Sequence, residues 1–163
     1  MRRAGPNPKP DDDSSDRHFM SDTHLMIVHP KYASLIMTGQ KLVEARMGTD
    51  RRAPYNRVQP GDVIFIKPTS QAVIGRAVVH RVDQYSGLNA DDINHLRTVY
   101  NDRVLGDSAF WDSKQDANFA TFITLSKVTM LADESTVPSA LLTPSRNAWR
   151  VLHDESQQTR RAA

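Results

Sequence analysis

The sequence lacks several features that define common classes of protein. It has no cysteine, which excludes a disulfide framework, a thiolate metal site and a cysteine nucleophile. No segment approaches the roughly 20 apolar residues that cross a bilayer, and the N-terminus lacks the apolar region of a secretory signal. Glycine-rich phosphate loops of both common types are missing, and no two histidines stand four residues apart, as a helical zinc site requires. We therefore expect a soluble cytoplasmic protein without a membrane partner, a metal or a cofactor.

Length and composition predict one folded domain between two polar ends. A chain of 163 residues has room for one hydrophobic core and hardly for two. Residues 1–22 and 156–163 are polar and predict disordered tails, so that residues 23–155 form the domain. Met20 could be an alternative start, and the N-terminal tail would then not belong to the native protein.

Charge is unevenly distributed along the chain, although the net charge is only +2. Residues 24–71 hold seven lysines and arginines against three acids, whereas residues 107–134 hold two against five. Such asymmetry is typical of a protein that binds a polyanion on one basic face. An ordinary solvated surface with uneven charge is the alternative.

The pattern of apolar and turn residues predicts mostly strands. Pro30 suits the first position of a helix, Gly39 suits its end, and Asn89 suits the N-cap of a second helix. Long strands, with a glycine at position 75 that permits a bend, favour a small barrel over a doubly wound sheet. An open α+β sheet is the alternative. The predicted strands cover residues 24–29, 41–47, 62–67, 71–82, 119–131 and 148–152, and the predicted helices cover 30–38, 89–100 and 108–114.

Three charged residues, Lys41, Glu44 and Arg46, interrupt an otherwise apolar predicted strand. Because side chains alternate along a strand, Glu44 and Arg46 share one face and are close enough to form a charge-assisted pair. Lys41 converges with Glu44 only if the strand begins irregularly or if the lysine curls around its start. Burying three charges without partners is costly. The three residues therefore form either a ligand site or a salt bridge on a half-exposed strand.

The segment HPKYASLIMTGQKLVEAR, which ends at Arg46, closely resembles the opening of the ASCH domain (named for activating signal cointegrator-1 homology). That opening has a strand, a helix that begins at proline, and the motif GxKxxExR, here Gly39, Lys41, Glu44 and Arg46. Two further segments, residues 59–68 and 147–152, resemble the PGD turn with its following strand and the tryptophan-bearing last strand of cointegrator-type members. The resemblance thus extends over most of the chain, roughly residues 24–153.

The resemblance implies an α+β, mainly β fold: a small PUA-like β-barrel with two or three helices. It also implies that Lys41, Glu44 and Arg46 line a basic cleft that binds RNA or another single-stranded nucleic acid, or a modified nucleoside. In that cleft Lys41 would contact a phosphate or polarise a carbonyl, and Glu44 would accept a hydrogen bond from a base edge or accept a proton. Arg46 would orient Glu44 or hold a phosphate.

Further cations extend the predicted nucleic-acid interface. Arg51, Arg52 and Arg57 lie in a predicted basic loop over residues 48–59, and Lys67 ends the next strand. All four could contact a nucleic-acid backbone, and the alternative is a solvated surface. Tyr32, Tyr55 and Tyr85 could stack on bases or pack in the core. Trp111 and Trp149 are predicted to be core residues.

Whether the domain is an enzyme stays open at this point, with Lys41 and Glu44 as the candidate catalytic residues. One branch of the family hydrolyses N4-acetylcytidine with a lysine, a threonine three residues later and a helical glutamate. Here Glu44 replaces the threonine nucleophile, and only Asp102 or Asn101 could stand for the helical carboxylate. A water activated by Glu44, a ribonuclease activity and a protein-interaction module that meets an acidic partner are the alternatives to binding.

Overall fold

A computed structural model of the chain describes residues 21–153. The predicted tails lie outside these residues except for residues 21–22, and the domain boundaries stay a prediction. None of the helices in this part of the chain combines the length and the apolar character that a membrane crossing requires. The elements, in chain order, are β1 (Thr23–Val28), α1 (Pro30–Met37), β2 (Val43–Gly48), β3 (Val63–Pro68), β4 (Gly75–Tyr85), α2 (Ala90–Val104), α3 (Ser108–Asp112), β5 (Phe119–Met130), a 3₁₀ turn (Ser139–Leu141) and β6 (Trp149–Leu152).

The six strands form one curled sheet, a half-barrel, in the order β2-β5-β4-β3-β1-β6. All neighbours pair antiparallel except β1 and β3, which run parallel. Strands β2 and β6 are therefore the two edges, and no strand ladder joins them among the described residues. The prediction of a small, mainly β fold with two or three helices is confirmed. We call the gap between the two edges the seam.

Alternation along β2 separates an apolar face from a charged one. Val43, Ala45 and Met47 pack with the buried residues of α2, in a cluster that covers one side of the sheet. Glu44 and Arg46 point to the opposite side, into the concave half of the barrel. The cluster that fills this half includes Ile36 of α1 and residues of five strands. Helix α1 therefore packs on the concave side of the sheet.

Helix α2 begins and ends at recognisable residues. Asn89 and Asp92 form a reciprocal capping box at its start. The helix continues four residues beyond the predicted end, because Val104 supplies one more buried turn before Leu105 adopts a left-handed conformation (φ 56°). The amide of Leu42 donates to Arg103 O at 3.0 Å. This extended C-terminus is therefore attached to the chain just ahead of β2.

Two expectations about β4 are wrong. The strand covers residues 75–85 rather than 71–82, because Ser70 turns the chain with φ 61° and Val73 donates its amide to Glu134. Gly75 does not provide the bend, since the register shifts lie after residues 76 and 79. A side chain at Gly75 would instead collide with Met37 of α1. This glycine allows the helix to approach the sheet.

Candidate nucleic-acid interface

Lys41 lies just before β2 and is almost completely buried. Its ammonium group donates to the backbone oxygens of Val43 (2.9 Å) and Val104 (2.5 Å), the latter at the C-terminus of α2. The same group lies 5.2 Å from the centre of the Tyr32 ring. The negative end of a helix dipole favours a cation at this place. Burial lowers the pKa of Lys41, an effect that the carboxylate of Glu44 opposes.

Glu44 lies between the two cations of the motif. Its Oε2 is 3.9 Å from Lys41 Nζ, and its Oε1 is 3.3 Å from Arg46 Nε. The structure thus brings the three residues together, because Lys41 curls around the start of β2. Both Glu44 Oε2 and Arg46 Nε are buried without a hydrogen-bond partner among the described residues. Buried polar atoms in this state are uncommon in folded proteins.

Arg46 links the two edges of the half-barrel. Its Nη2 donates to Ile27 O of β1 at 2.8 Å, and its guanidinium carbon lies 5.3 Å from the centre of the Trp149 ring on β6. One side chain from β2 thus reaches across the seam to both strands on the far side. A guanidinium is suited to this position because it can donate, stack and carry charge at once.

Trp149 is held from behind by a buried hydrogen-bond relay. Its indole Nε1 donates to His24 Nδ1 at 3.0 Å, and His24 Nε2 lies 2.7 Å from Asp62 Oδ2. Because an indole nitrogen only donates, Nδ1 must accept, and the histidine proton lies on Nε2 and faces the carboxylate. Asp62 also accepts the backbone amides of Asp22 (3.1 Å) and Gln59 (3.0 Å). The PGD turn before β3 therefore fixes the tryptophan that faces the seam.

A cleft of about 580 Å³ opens at the seam, between the end of β2, the loop after it and the start of β6. This volume is in the range of ligand sites. Its aromatic lining residues are Tyr55, Phe119 and Trp149, and its charged lining residues are Arg46, Asp50, Arg52, Lys114 and Arg146. We call it the seam cleft. Four cations thus face one acid, and that acid, Asp50, is paired with Arg52 at 2.8 Å.

Lys114 and Arg146 belong to the seam cleft although the sequence reasoning did not select them. Neither makes an ion pair with another described residue. Burial lowers the pKa of Lys114, and Arg46 nearby lowers it further, whereas Glu44 opposes the shift. The two residues come from the segments after α3 and before β6, which are remote from the motif in the chain. Trp149 was assigned to the core, and the structure places it both in the core and at the cleft wall.

The other predicted cations are dispersed. Arg52 lines the seam cleft, and Arg51 lies against the ring of Phe119, with 5.4 Å between its guanidinium carbon and the ring centre. Lys67 lines a second cleft on the far side of β1, and Arg57 is exposed and lines neither cleft. Lys41 and Glu44 lie behind Arg46 rather than in the lining of the seam cleft. The predicted residues therefore do not form one surface: some line the seam cleft, Lys41 and Glu44 lie behind it, and Arg57 lies outside both clefts.

Structural contacts account for the residues that were weighed as a helical acid. Asn101 exchanges hydrogen bonds with the backbone of Gly106 and accepts from Trp111 Nε1 at 2.9 Å. The side chain of Asp102 is 76% exposed and pairs with its neighbour Arg103. Neither contact brings a carboxylate toward the motif. Among residues 21–153, no group of acidic or histidine side chains has the arrangement of a metal site.

The uncertain aromatic residues also have clear positions. Tyr85 is buried, with its hydroxyl 2.6 Å from that of Tyr100, and Trp111 is fully buried against α2. Tyr32 covers Lys41 and accepts the amide of Asp107 at 3.3 Å. These residues therefore stabilise the core or the motif. Tyr55 is the tyrosine of the predicted set that lines the seam cleft.

The fold and the site define a small, mainly β domain with a basic, aromatic-lined cleft at the open side of a half-barrel. A family model described as ASCH domain matches residues 26–126, which is more than half of the chain. The chain belongs to the ASCH domain family. No curated protein matches the chain.

Solved structures agree with this assignment. A crystal structure of ASCH from Zymomonas mobilis is similar over 86% of this chain and 94% of that chain, with a TM-score of 0.62 and 19% identity. A single-residue variant of the Zymomonas protein gives a TM-score of 0.59 at 19% identity, over 86% of this chain and 96% of that one. At such identity the likeness shows the shared fold alone.

Proposed function

We propose that this domain binds single-stranded nucleic acid, with RNA as the expected form, and holds one nucleotide in the seam cleft. The observation that carries the proposal is the lining of the cleft, where four cations and three aromatic rings surround a space with one paired acid. Phosphate attracts such cations, and bases stack on aromatic or guanidinium planes. A base can enter a cleft of this size only when it is unpaired.

Arg46 and Lys114 are the proposed phosphate contacts, because both line the cleft. Arg46 pairs with the buried Glu44, and Lys114 pairs with no acid among the described residues. The plane of Arg46 over Trp149 and the ring of Phe119 are the proposed stacking surfaces. The guanidinium of Arg46 is 20% exposed and lines the cleft, while its Nε faces Glu44 at 3.3 Å.

Lys41 and Glu44 are proposed as positioning residues. The two backbone oxygens that Lys41 contacts hold its ammonium group away from the cleft. Glu44 supports Arg46 through the 3.3 Å ion pair and is itself supported by Lys41. The predicted catalytic roles of the pair stay a prediction, and these contacts favour binding over catalysis.

The first test is the salt dependence of binding. A fluorescein-labelled RNA hexamer of mixed sequence is titrated by fluorescence anisotropy at several KCl concentrations. Each phosphate contact on a single strand contributes about −0.7 to the slope of log K against log salt. Lys114→Ala is therefore expected to weaken binding and to reduce the slope by about 0.7. Lys127→Gln is the matched control, because Lys127 is an exposed lysine outside both clefts and outside the predicted interface.

Binding that does not depend on salt, or an equal effect of the two variants, would contradict this proposal. A hexamer of the same sequence in DNA distinguishes recognition of RNA from recognition of any single strand. Equal affinity for both would agree with binding of a single strand in the cleft and would contradict a preference for RNA.

A second expected result concerns pH. The pKa of Lys114 is lowered by burial and by Arg46, so that its positive charge disappears at a lower pH than that of an exposed lysine. A phosphate binds the charged form better, and affinity should therefore fall as pH rises through this lowered pKa. Lys114→Arg keeps its charge throughout and should bind with a flatter pH profile. The measurement is anisotropy from neutral to alkaline pH with a hexamer of adenosine and cytidine; identical profiles for the two proteins would refute the role of Lys114.

A further inference from the structure

A second cleft, of about 570 Å³, lies on the other side of β1. We call it the outer cleft. Its floor is formed by β1 and the end of β3, and its wall is the chain from Leu142 to Ala148. Its polar lining includes Lys67, Thr69, Ser70, Thr143, Ser145 and Arg146.

The two clefts share a wall. Arg146, Asn147 and Ala148 line both of them. At the base of this wall, the amide of Ile27 donates to Ala148 O at 3.0 Å, and its carbonyl accepts from Arg46 Nη2 at 2.8 Å. Ile27 is also the register partner of Lys67 on β3. Ile27 therefore contacts Arg46 of the seam cleft and stands beside Lys67 of the outer cleft, at the spacing of about 4.8 Å between paired strands.

The outer cleft is basic and rich in hydroxyl groups. Its lining, within the described part of the chain, includes no acid. The side chain of Lys67 has neither a hydrogen bond nor an ion pair with any described residue, so its charge is available to a ligand. Arg146 is exposed on the shared wall and is equally without an ion pair among residues 21–153. Cations beside hydroxyl groups are the usual contacts of phosphate and sugar oxygens.

Arg150 keeps the wall in place. Its Nη1 donates to Leu141 O at 2.7 Å and to Thr143 O, and its Nη2 donates to Ser145 O at 3.4 Å. These bonds bind three carbonyls of an otherwise irregular segment to β6. The shared wall between the clefts is therefore anchored to the sheet.

We propose that the outer cleft is the subsite for the next nucleotide of the bound nucleic acid, whose backbone passes over the shared wall from Arg146 to Ala148. The inference rests on the proposed function and makes the preferred ligand an oligonucleotide of at least two residues, not a free nucleotide. Arg146 contacts the phosphate that lies over the shared wall, and Lys67 contacts the phosphate held in the outer cleft. The similar volumes of the clefts agree with one nucleotide in each.

The test compares ligand lengths on the full chain. Cytidine 5′-monophosphate and a labelled RNA hexamer are measured by direct titration and by displacement. For wild type, the hexamer is expected to bind at least about tenfold more tightly than the monophosphate. Lys67→Ala should lose about tenfold on the hexamer, as for one charge-assisted contact, and leave the monophosphate unchanged. Lys67→Glu should lose more, and Lys127→Gln, at an exposed position outside both clefts, should lose nothing.

The outcomes separate the two proposals. Equal hexamer affinity for wild type and both Lys67 variants would overturn the outer subsite and leave the proposed function standing. Failure of wild type to bind either ligand would overturn both. Thermal melting of each variant shows whether a loss reflects unfolding; Lys67 is partly exposed and has no ion pair among the described residues, so we expect unchanged melting temperatures.

Discussion

Arg46→Ala is expected to lower the affinity for a single-stranded RNA hexamer by about 10- to 100-fold. The residue has three contacts that a ligand would depend on: the bond to Ile27 O, the face of Trp149, and the ion pair with Glu44. Removing it takes away a phosphate donor and a stacking plane, and it disconnects the two edges of the sheet. Anisotropy titration at fixed salt measures the loss.

Loss of stability must be separated from loss of binding in this variant. Without Arg46, the buried Glu44 carboxylate loses its nearer cation, at an expected cost of about 2 kcal/mol for a partly exposed pair. The double variant Glu44→Gln/Arg46→Ala removes the stranded charge and should recover part of the stability while binding stays weak. Arg46→Lys keeps the charge without the planar fork and should give an intermediate affinity. Unchanged affinity in the stable double variant would refute the role of Arg46.

Asp62→Asn is expected to destabilise the fold by about 2–4 kcal/mol. The carboxylate accepts from the buried His24 ring and from the part-buried backbone amides of Asp22 and Gln59. An asparagine offers one acceptor oxygen in place of two, so at least one donor is left unpaired. Urea unfolding monitored by tryptophan fluorescence measures the effect.

The relay connects this stability to the seam. In the Asp62→Asn variant, the Nε2 proton of His24 loses its anionic acceptor, and the orientation of the ring that holds Trp149 weakens. Asp116→Asn, at an exposed position, is the control and should change stability by less than about 0.5 kcal/mol. A cost for Asp62→Asn no larger than that of the control would show that the relay does not support the fold.

The sequence allowed the elements with strong local signals to be predicted. Pro30 begins α1 and Asn89 caps α2, as predicted, because both signals act on neighbouring backbone groups. The start of β4 was missed because the turn at Ser70 depends on a left-handed conformation that serine rarely adopts. The last turn of α2 was missed because polar residues precede Val104 and hide its buried position.

The candidate site was predictable in its location and only partly in its geometry. Strand alternation placed Glu44 and Arg46 on one face, and the structure shows them 3.3 Å apart. Burial of Lys41 against Val104 depends on how α2 docks on β2, which no local pattern records. Lys114 and Arg146 reach the cleft only through the fold, since their own segments have no motif.

Because no strand ladder crosses the seam within residues 21–153, side chains and core packing rather than rows of backbone bonds join the two edges there. Elsewhere each pair of neighbouring strands is held by rows of backbone bonds, whereas here the guanidinium of Arg46 spans the distance. We therefore expect the two rims of the seam to be the part of the sheet that can separate with the smallest loss of backbone hydrogen bonds. A nucleic-acid strand bound in the gap would contact both rims and would therefore oppose their separation.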